Sequence, residues 1–185
     1  MALRSTLALV GALLLTAAGL AFSSARASGA PEVEPGPGGP DRATTIYLLR
    51  HAEKSDESDA SGLTDAGQSR ARALAELLAA EPIALVLSSQ YARTRLTVQL
   101  LADRVGLTVE EIDAHDYDRF AARARALEPG QAAVVCGHSN TIPVIAARLG
   151  VASPPAESEV VYGDLYVVRL EGQRASFERR RYGDP

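Results

Sequence analysis

Two of the three histidines in this chain close apolar runs: Tyr47-Leu48-Leu49-Arg50-His51 and Val134-Val135-Cys136-Gly137-His138. A third stretch, Ser88-Ser89-Gln90-Tyr91-Ala92-Arg93-Thr94, carries an arginine just past another apolar run. Strands of an open α/β sheet present the residues at their carboxyl ends to a common crevice. A neutral imidazole there is a competent nucleophile toward phosphorus and forms a phosphohistidine that water can cleave. A guanidinium grips phosphoryl oxygens with a planar fork of donors, and Arg50 also favours the neutral, nucleophilic form of His51 by charge repulsion. One histidine after one strand is more often structural. The pair of histidines with Arg50 and Arg93 points to the chemistry of a dianionic phosphoryl group.

The remaining reactive residues fall around this set. His138 is placed to hold a phosphoryl oxygen and stabilise the charge that builds in the transition state. Gly137 is expected to let the backbone turn sharply toward a ligand, and Ser139 and Asn140 add hydroxyl and amide donors. Lys54, the only lysine, follows His51 by three residues and joins the list of possible site residues. Arg95, two positions beyond Arg93, faces elsewhere on a helix and reads as a solvated charge. Cys136 is the only cysteine, so no intramolecular disulfide can form. Inside an apolar strand it reads as a small buried hydrophobe rather than a nucleophile. His51, His115 and His138 with acidic neighbours raise a metal site. Adjacent arginines repel a cation and no His-x-x-x-His spacing occurs, so no metal and no cofactor are expected.

Alternating elements must position these groups. Thr45–Leu49, Ile83–Leu87, Leu107–Ile112 and the wholly apolar 132–136 read as strands, the last one central. Thr64 is an N-cap for a helix to Leu78 with Leu74, Leu77 and Leu78 on its apolar face. A helix over 91–105 with apolar Leu96, Leu100, Leu101 and Val105 ends at Gly106, and the Ser88 and Ser89 hydroxyls are candidates to cap its start. Helices follow over 117–127 and 141–149, with Pro143 tolerated in a first turn. A hairpin of 165–170 and 175–179 closes the chain. The order implies an α/β fold: a three-layer α/β/α sandwich with a mostly parallel central sheet.

The bulk numbers agree. Of 185 residues, 46% are hydrophobic, 5% aromatic and none is Trp, so the core is built from Ala, Val, Leu and Ile. Residues 1–27 have the form of a cleavable signal peptide: Arg4, an apolar run from Leu7 to Phe22, and Ala25-Arg26-Ala27 as a small-x-small cleavage site. A retained membrane anchor is the alternative, although the run is short for a span. Residues 28–42 read as a Pro/Gly-rich linker and 43–185 as the catalytic domain. The expectation is export to the periplasm or medium, with no membrane contact after cleavage. Losing Arg4 and Arg26 leaves 17 basic residues against 23 acidic ones. That balance argues against nucleic acid as a partner. The expected partner is a small phosphorylated molecule; oligomeric state is not legible.

These residues resemble the histidine phosphatase superfamily, also called phosphoglycerate mutase-like. Its pattern is Arg-His-Gly/Ala-Glu after the first strand, Ser-x-x-x-Arg-Thr opening a helix, and Gly-His ending a later strand. Here those are Arg50-His51-Ala52-Glu53, Ser89-Gln90-Tyr91-Ala92-Arg93-Thr94 and Gly137-His138, with 63–68 similar to the family's Leu-Thr-x-x-Gly-x segment. The resemblance runs from about residue 45 to residue 170. It implies a phosphoglycerate mutase-like sandwich, His51 as the phosphorylated nucleophile and a phosphate pocket of Arg50, Arg93 and His138. Ala52 in place of the commoner Gly is similar to small members that act on phosphohistidine. The short span between Arg93 and His138 leaves little room for the lid that mutases use to keep water from a phospho-enzyme. Both features favour hydrolysis.

A leaving alkoxide needs a positioned acid. One branch of the family uses an Asp directly after the second histidine, where this chain has Ser139. Mutase-like members use a Glu after the second helix, where this chain has residues 110–116. Asp116, then Asp113, are the candidates, with a solvated acidic loop as the alternative for each. The expectation is an exported, metal-independent phosphomonoesterase working through phosphohistidine. The rivals are a phosphohistidine-type protein phosphatase, which needs no strong acid, and a non-catalytic phosphate-binding module.

Overall fold

Four α-helices and six strands lie along residues 43–183, the residues described by the structure, a computed structural model, and they alternate up to a closing pair of strands. They are β1 (Thr44–Arg50), α1 (Asp65–Leu78), β2 (Ile83–Ser89), α2 (Ala92–Val105), β3 (Val109–Ile112), α3 (Tyr117–Arg125), β4 (Ala132–Gly137), α4 (Ile142–Arg148), β5 (Asp164–Glu171) and β6 (Arg174–Arg181). The expected signal segment, 1–27, and the linker, 28–42, lie outside the described residues.

Every residue of β4 is buried, as a strand covered on both faces requires, and β4 is central. The sheet order is β3-β2-β4-β1-β5-β6. β1, β2, β3 and β4 run parallel. β5 and β6 are antiparallel and extend the sheet beyond β1 as a hairpin. Alternation along each strand divides the core. Ile46, Leu48, Leu87 and Val135 pack with Phe120 of α3 and Ile142 and Ile145 of α4. Tyr47, Leu49, Val86, Val134 and Cys136 pack with Leu74 of α1 and Val98 and Leu101 of α2. The result is the three-layer, mostly parallel sandwich expected from the sequence.

The termini of the elements follow local chemistry. Thr64 caps α1 by accepting the Gly67 N–H, and Gly106 ends α2 in the left-handed region at φ 72°, which glycine adopts without steric cost. The expected helix faces need correction. Leu77, Leu96 and Leu100 are exposed. In α2 the buried positions are instead Thr94, Thr97, Val98, Leu101 and Ala102. The threonines displaced leucine from the core face because their hydroxyls are used: Thr97 accepts the Ala52 N–H at 2.9 Å. No helix of the described residues is long and apolar enough to cross a membrane.

Candidate active site

β4 lies between β1 and β2, so their carboxyl ends meet. The ladder of β1 and β4 continues one residue beyond β1, with the His51 N–H donating to the Gly137 carbonyl at 2.9 Å. The His51 and His138 rings are therefore neighbours, with centroids 5.3 Å apart and nearly edge to face.

His51 is almost wholly buried, 4% exposed. Its Nδ1 lies 2.7 Å from the Ala52 carbonyl. A carbonyl only accepts, so Nδ1 carries the ring proton and Nε2 keeps its lone pair. Burial, followed by the Arg50, Arg93 and Lys54 charges, pulls the imidazole down to about 4, against the Ala52 hydrogen bond, which opposes the shift. His51 is therefore a neutral imidazole of defined tautomer at ordinary pH. Its loop is pinned from below. Glu53 takes three hydrogen bonds from the Arg70 guanidinium at 2.7 to 3.0 Å, and Arg70 also donates to the Tyr182 carbonyl. Gly67 lies so close to Glu53 that a Cβ would come within 2.4 Å of its carbonyl oxygen. This close approach accounts for the glycine in the Leu-Thr-x-x-Gly segment.

His138 is held from the β2 side. Its Nε2 is 2.9 Å from Ser89 Oγ, which lies 2.8 Å from Thr94 Oγ1. Thr94 in turn donates to the Tyr91 carbonyl. Burial first, then His51 and the two arginines, lowers the His138 imidazole to about 3. The role expected of Ser88 and Ser89 as caps is corrected. α2 starts with no side-chain cap, and Ser89 is used to hold the second histidine. The reading of Gly137 is corrected as well. Its φ is not positive; glycine is needed because a Cβ would sit 2.5 Å from Thr141 Oγ1, the atom that accepts the His138 N–H.

Each arginine lies over a tyrosine. The Arg50 guanidinium is 4.2 Å from the Tyr162 ring centroid and Arg93 is 4.3 Å from Tyr91. Arg50 also donates to the Val160 carbonyl and Arg93 to the Ser58 carbonyl. The Nε atoms of both arginines are buried without a partner among the described residues. Two buried, unsatisfied cationic donors beside two neutral histidines are a site built for anion oxygens.

The two histidines, the two arginines and Tyr91 line one open cavity of about 240 Å³. Of the site residues expected from sequence, it brings together Arg50, His51, Lys54, Arg93, His138, Ser139 and Asn140. Lys54 is already paired with Glu57. Asp116 and Asp113 do not line the cavity. Asp116 caps α3 by accepting the Arg119 N–H, and Asp113 accepts the N–H of His115. His115 does line it. Arg95 points away and pairs with Glu111, and Cys136 is wholly buried with its thiol pushed up by burial. Three cationic side chains and no carboxylate line the cavity, and among the described residues no three His, Cys, Asp or Glu side chains cluster to hold a metal ion. Tyr91 lies within the Ser89–Thr94 motif without a residue pattern that marks it as the partner of Arg93, and Tyr162, in the loop before β5, has no sequence signal tying it to Arg50.

A family model described as histidine phosphatase superfamily (branch 1) matches residues 46–116, the part of the chain from β1 to the start of α3. Solved structures share the fold. The protein histidine phosphatase SixA complexed with tungstate is 20% identical with a TM-score of 0.63, covering 74% of this chain and 96% of its own. A protein from Nakamurella multipartitia, provisionally assigned as the phosphohistidine phosphatase SixA, is 24% identical with a TM-score of 0.58, covering 80% and 99%. A mycobacterial glucosyl-3-phosphoglycerate phosphatase with inorganic phosphate is 19% identical with a TM-score of 0.55, covering 72% and 95%. No curated protein sequence matches the chain.

Proposed function

We propose that this chain is a histidine phosphatase that hydrolyses a small phosphomonoester through a phosphohistidine at His51, without a metal ion. One observation carries the reading: the Nε2 lone pair of a buried, neutral His51 beside two arginines whose buried Nε donors lack a partner. A binding module would need the donors but not the nucleophile. The partial family match and the likeness to phosphatases, one with tungstate and one with phosphate, support the same reading.

The chain's residues divide the work. Arg50 and Arg93 hold the phosphoryl oxygens with their planes set by Tyr162 and Tyr91. His51 Nε2 attacks phosphorus in line with the ester oxygen, and the P–O bond breaks as the N–P bond forms. If Ser89 donates to His138 Nε2, the remaining ring proton of His138 sits on Nδ1, and a neutral imidazole then donates to a phosphoryl oxygen. Water next attacks the phosphohistidine, breaking the N–P bond and releasing phosphate. The signal-like residues 1–27 support action outside the cytoplasm, which favours a small ester over a phosphorylated protein histidine as substrate.

Turnover of p-nitrophenyl phosphate with and without chelator tests the reading. Activity is expected to survive chelator and to fall by a factor on the order of 10⁴ or more in His51→Ala, because the nucleophile itself is removed. Bound phosphate without turnover on any phosphoester would leave the binding module. Loss with chelator would overturn the metal-free mechanism.

A further inference from the structure

Resting on the phosphatase reading, we propose that His115 is the proton donor to the leaving oxygen, held by Asp113, in place of the carboxyl acid such a reaction ordinarily uses. An alkoxide leaves slowly unless it is protonated as the P–O bond breaks, so the cavity must offer an acid. No Asp or Glu lines it. Asp116 is committed to the Arg119 N–H at the start of α3, and Ser139 follows His138. Beyond the alcohols and amide of Ser139, Thr141 and Asn140, which are too weakly acidic for the task, the proton-bearing side chains that line the cavity are His51, His138, His115, Lys54, Tyr91 and the arginines. His51 and His138 are buried and neutral, Lys54 is tied to Glu57, and Tyr91 lies against the Arg93 guanidinium. His115 remains: a histidine with its side chain 70% exposed, on the rim of the cavity, of the one residue type that ordinarily exchanges protons near neutral pH.

The loop is built to hold it. The Ala114 N–H donates to Gln90 Oε1 at 2.8 Å, which ties the residue before His115 to the segment carrying Arg93. Asp113 Oδ1 accepts the His115 backbone N–H at 2.9 Å and lies 3.5 Å from His115 Nδ1. With Nδ1 turned to that carboxylate, Nε2 is the nitrogen left for substrate. Asp113 thus orients the imidazole from its Nδ1 side, as a carboxylate does for a catalytic histidine. The step balances. The His115 Nε2–H proton goes to the ester oxygen as the P–O bond breaks and the His51 N–P bond forms. Neutral His115 then takes a proton from the water that attacks the phosphohistidine, which regenerates the acid.

The experiment compares kcat/KM, which reports phosphoryl transfer to His51, across esters of graded leaving-group acidity. In His115→Gln the value on ethyl phosphate is expected to fall about 100-fold. On p-nitrophenyl phosphate, whose phenolate leaves without a proton, it is expected to fall about threefold or less. Asp113→Asn steepens the same leaving-group dependence by a smaller factor, which a merely structural carboxylate would not do. Equal losses on both esters, or no loss on ethyl phosphate, would overturn the assignment while leaving the phosphatase reading intact. Absence of wild-type turnover on every ester, with phosphate still bound, would overturn that reading and this one together. Phosphate binding to His115→Gln serves as the check on folding.

Discussion

The two halves of the cavity are built on different principles. The phosphate half stands on strand ends: His51 is 4% exposed, hydrogen-bonded across the β1–β4 ladder, and its loop is bolted through Glu53 to Arg70. The other half stands on two loops, 54–63 and 113–116, which bring Lys54 and His115 to the cavity edge. Burial in the first half, with Arg50 and Arg93 beside it, keeps two imidazoles neutral. The second half sets an exposed histidine, His115, at the cavity edge. On the proposed reading, fixed geometry serves the phosphoryl group, which is the same in every ester, while the loops meet the part of the substrate that differs.

The largest test of this contrast is Arg93→Ala. It removes a buried donor from the phosphate half, and kcat/KM on p-nitrophenyl phosphate is expected to fall by roughly 10²- to 10³-fold, the scale for loss of one preorganised charge-stabilising donor. The same assay on His115→Gln moves little. Comparable losses for the two variants would mean that the halves are not separable.

Acid sensitivity sharpens the contrast with a smaller effect. Burial above all, with the Arg50, Arg93 and Lys54 charges added, holds His51 down to about 4, and His138 is held to about 3. An unfolded histidine takes up its proton near 6.5. Between those values the unfolded chain binds more protons than the folded one, so this contribution to stability is complete above about pH 6.5 and is lost as the pH falls through the folded values. Urea midpoints measured at pH 7 and pH 5 should drop, and should drop less in His51→Asn, which cannot titrate there. An equal drop in the variant would show that His51 does not resist protonation in the folded state.

The same division explains what could be read in the sequence. Arg50, His51, Arg93 and His138 were legible because each sits at the end of an apolar run or at a helix start, where one-dimensional pattern and three-dimensional position coincide. The central position of β4 was legible because burial on both faces leaves an unbroken apolar word. Leu77, Leu96 and Leu100 misled because helical spacing names a face without saying which residues on it carry hydrogen bonds, and Thr94 and Thr97 hold the inward positions. The Tyr162 partner of Arg50 and the Ser89 contact to His138 depend on loops and strands brought together only by the sheet order. His115 lies in the same 110–116 segment as Asp113 and Asp116, but which side chain of a loop faces a cavity has no periodic signal.

The smallest expected effect lies on the other rim loop. Lys54 lines the cavity but its ammonium is paired with Glu57, which sits fully in solvent. An exposed pair of this kind is weak and screened by salt. Glu57→Gln releases the lysine toward the anionic substrate, so KM for p-nitrophenyl phosphate is expected to fall about twofold at low ionic strength, with kcat unchanged. The gain should vanish near 1 M salt, where the screening length is about 3 Å. A tenfold change, or one that persists in high salt, would place the 54–63 loop with the preorganised half, because only a buried, geometrically fixed charge acts on that scale.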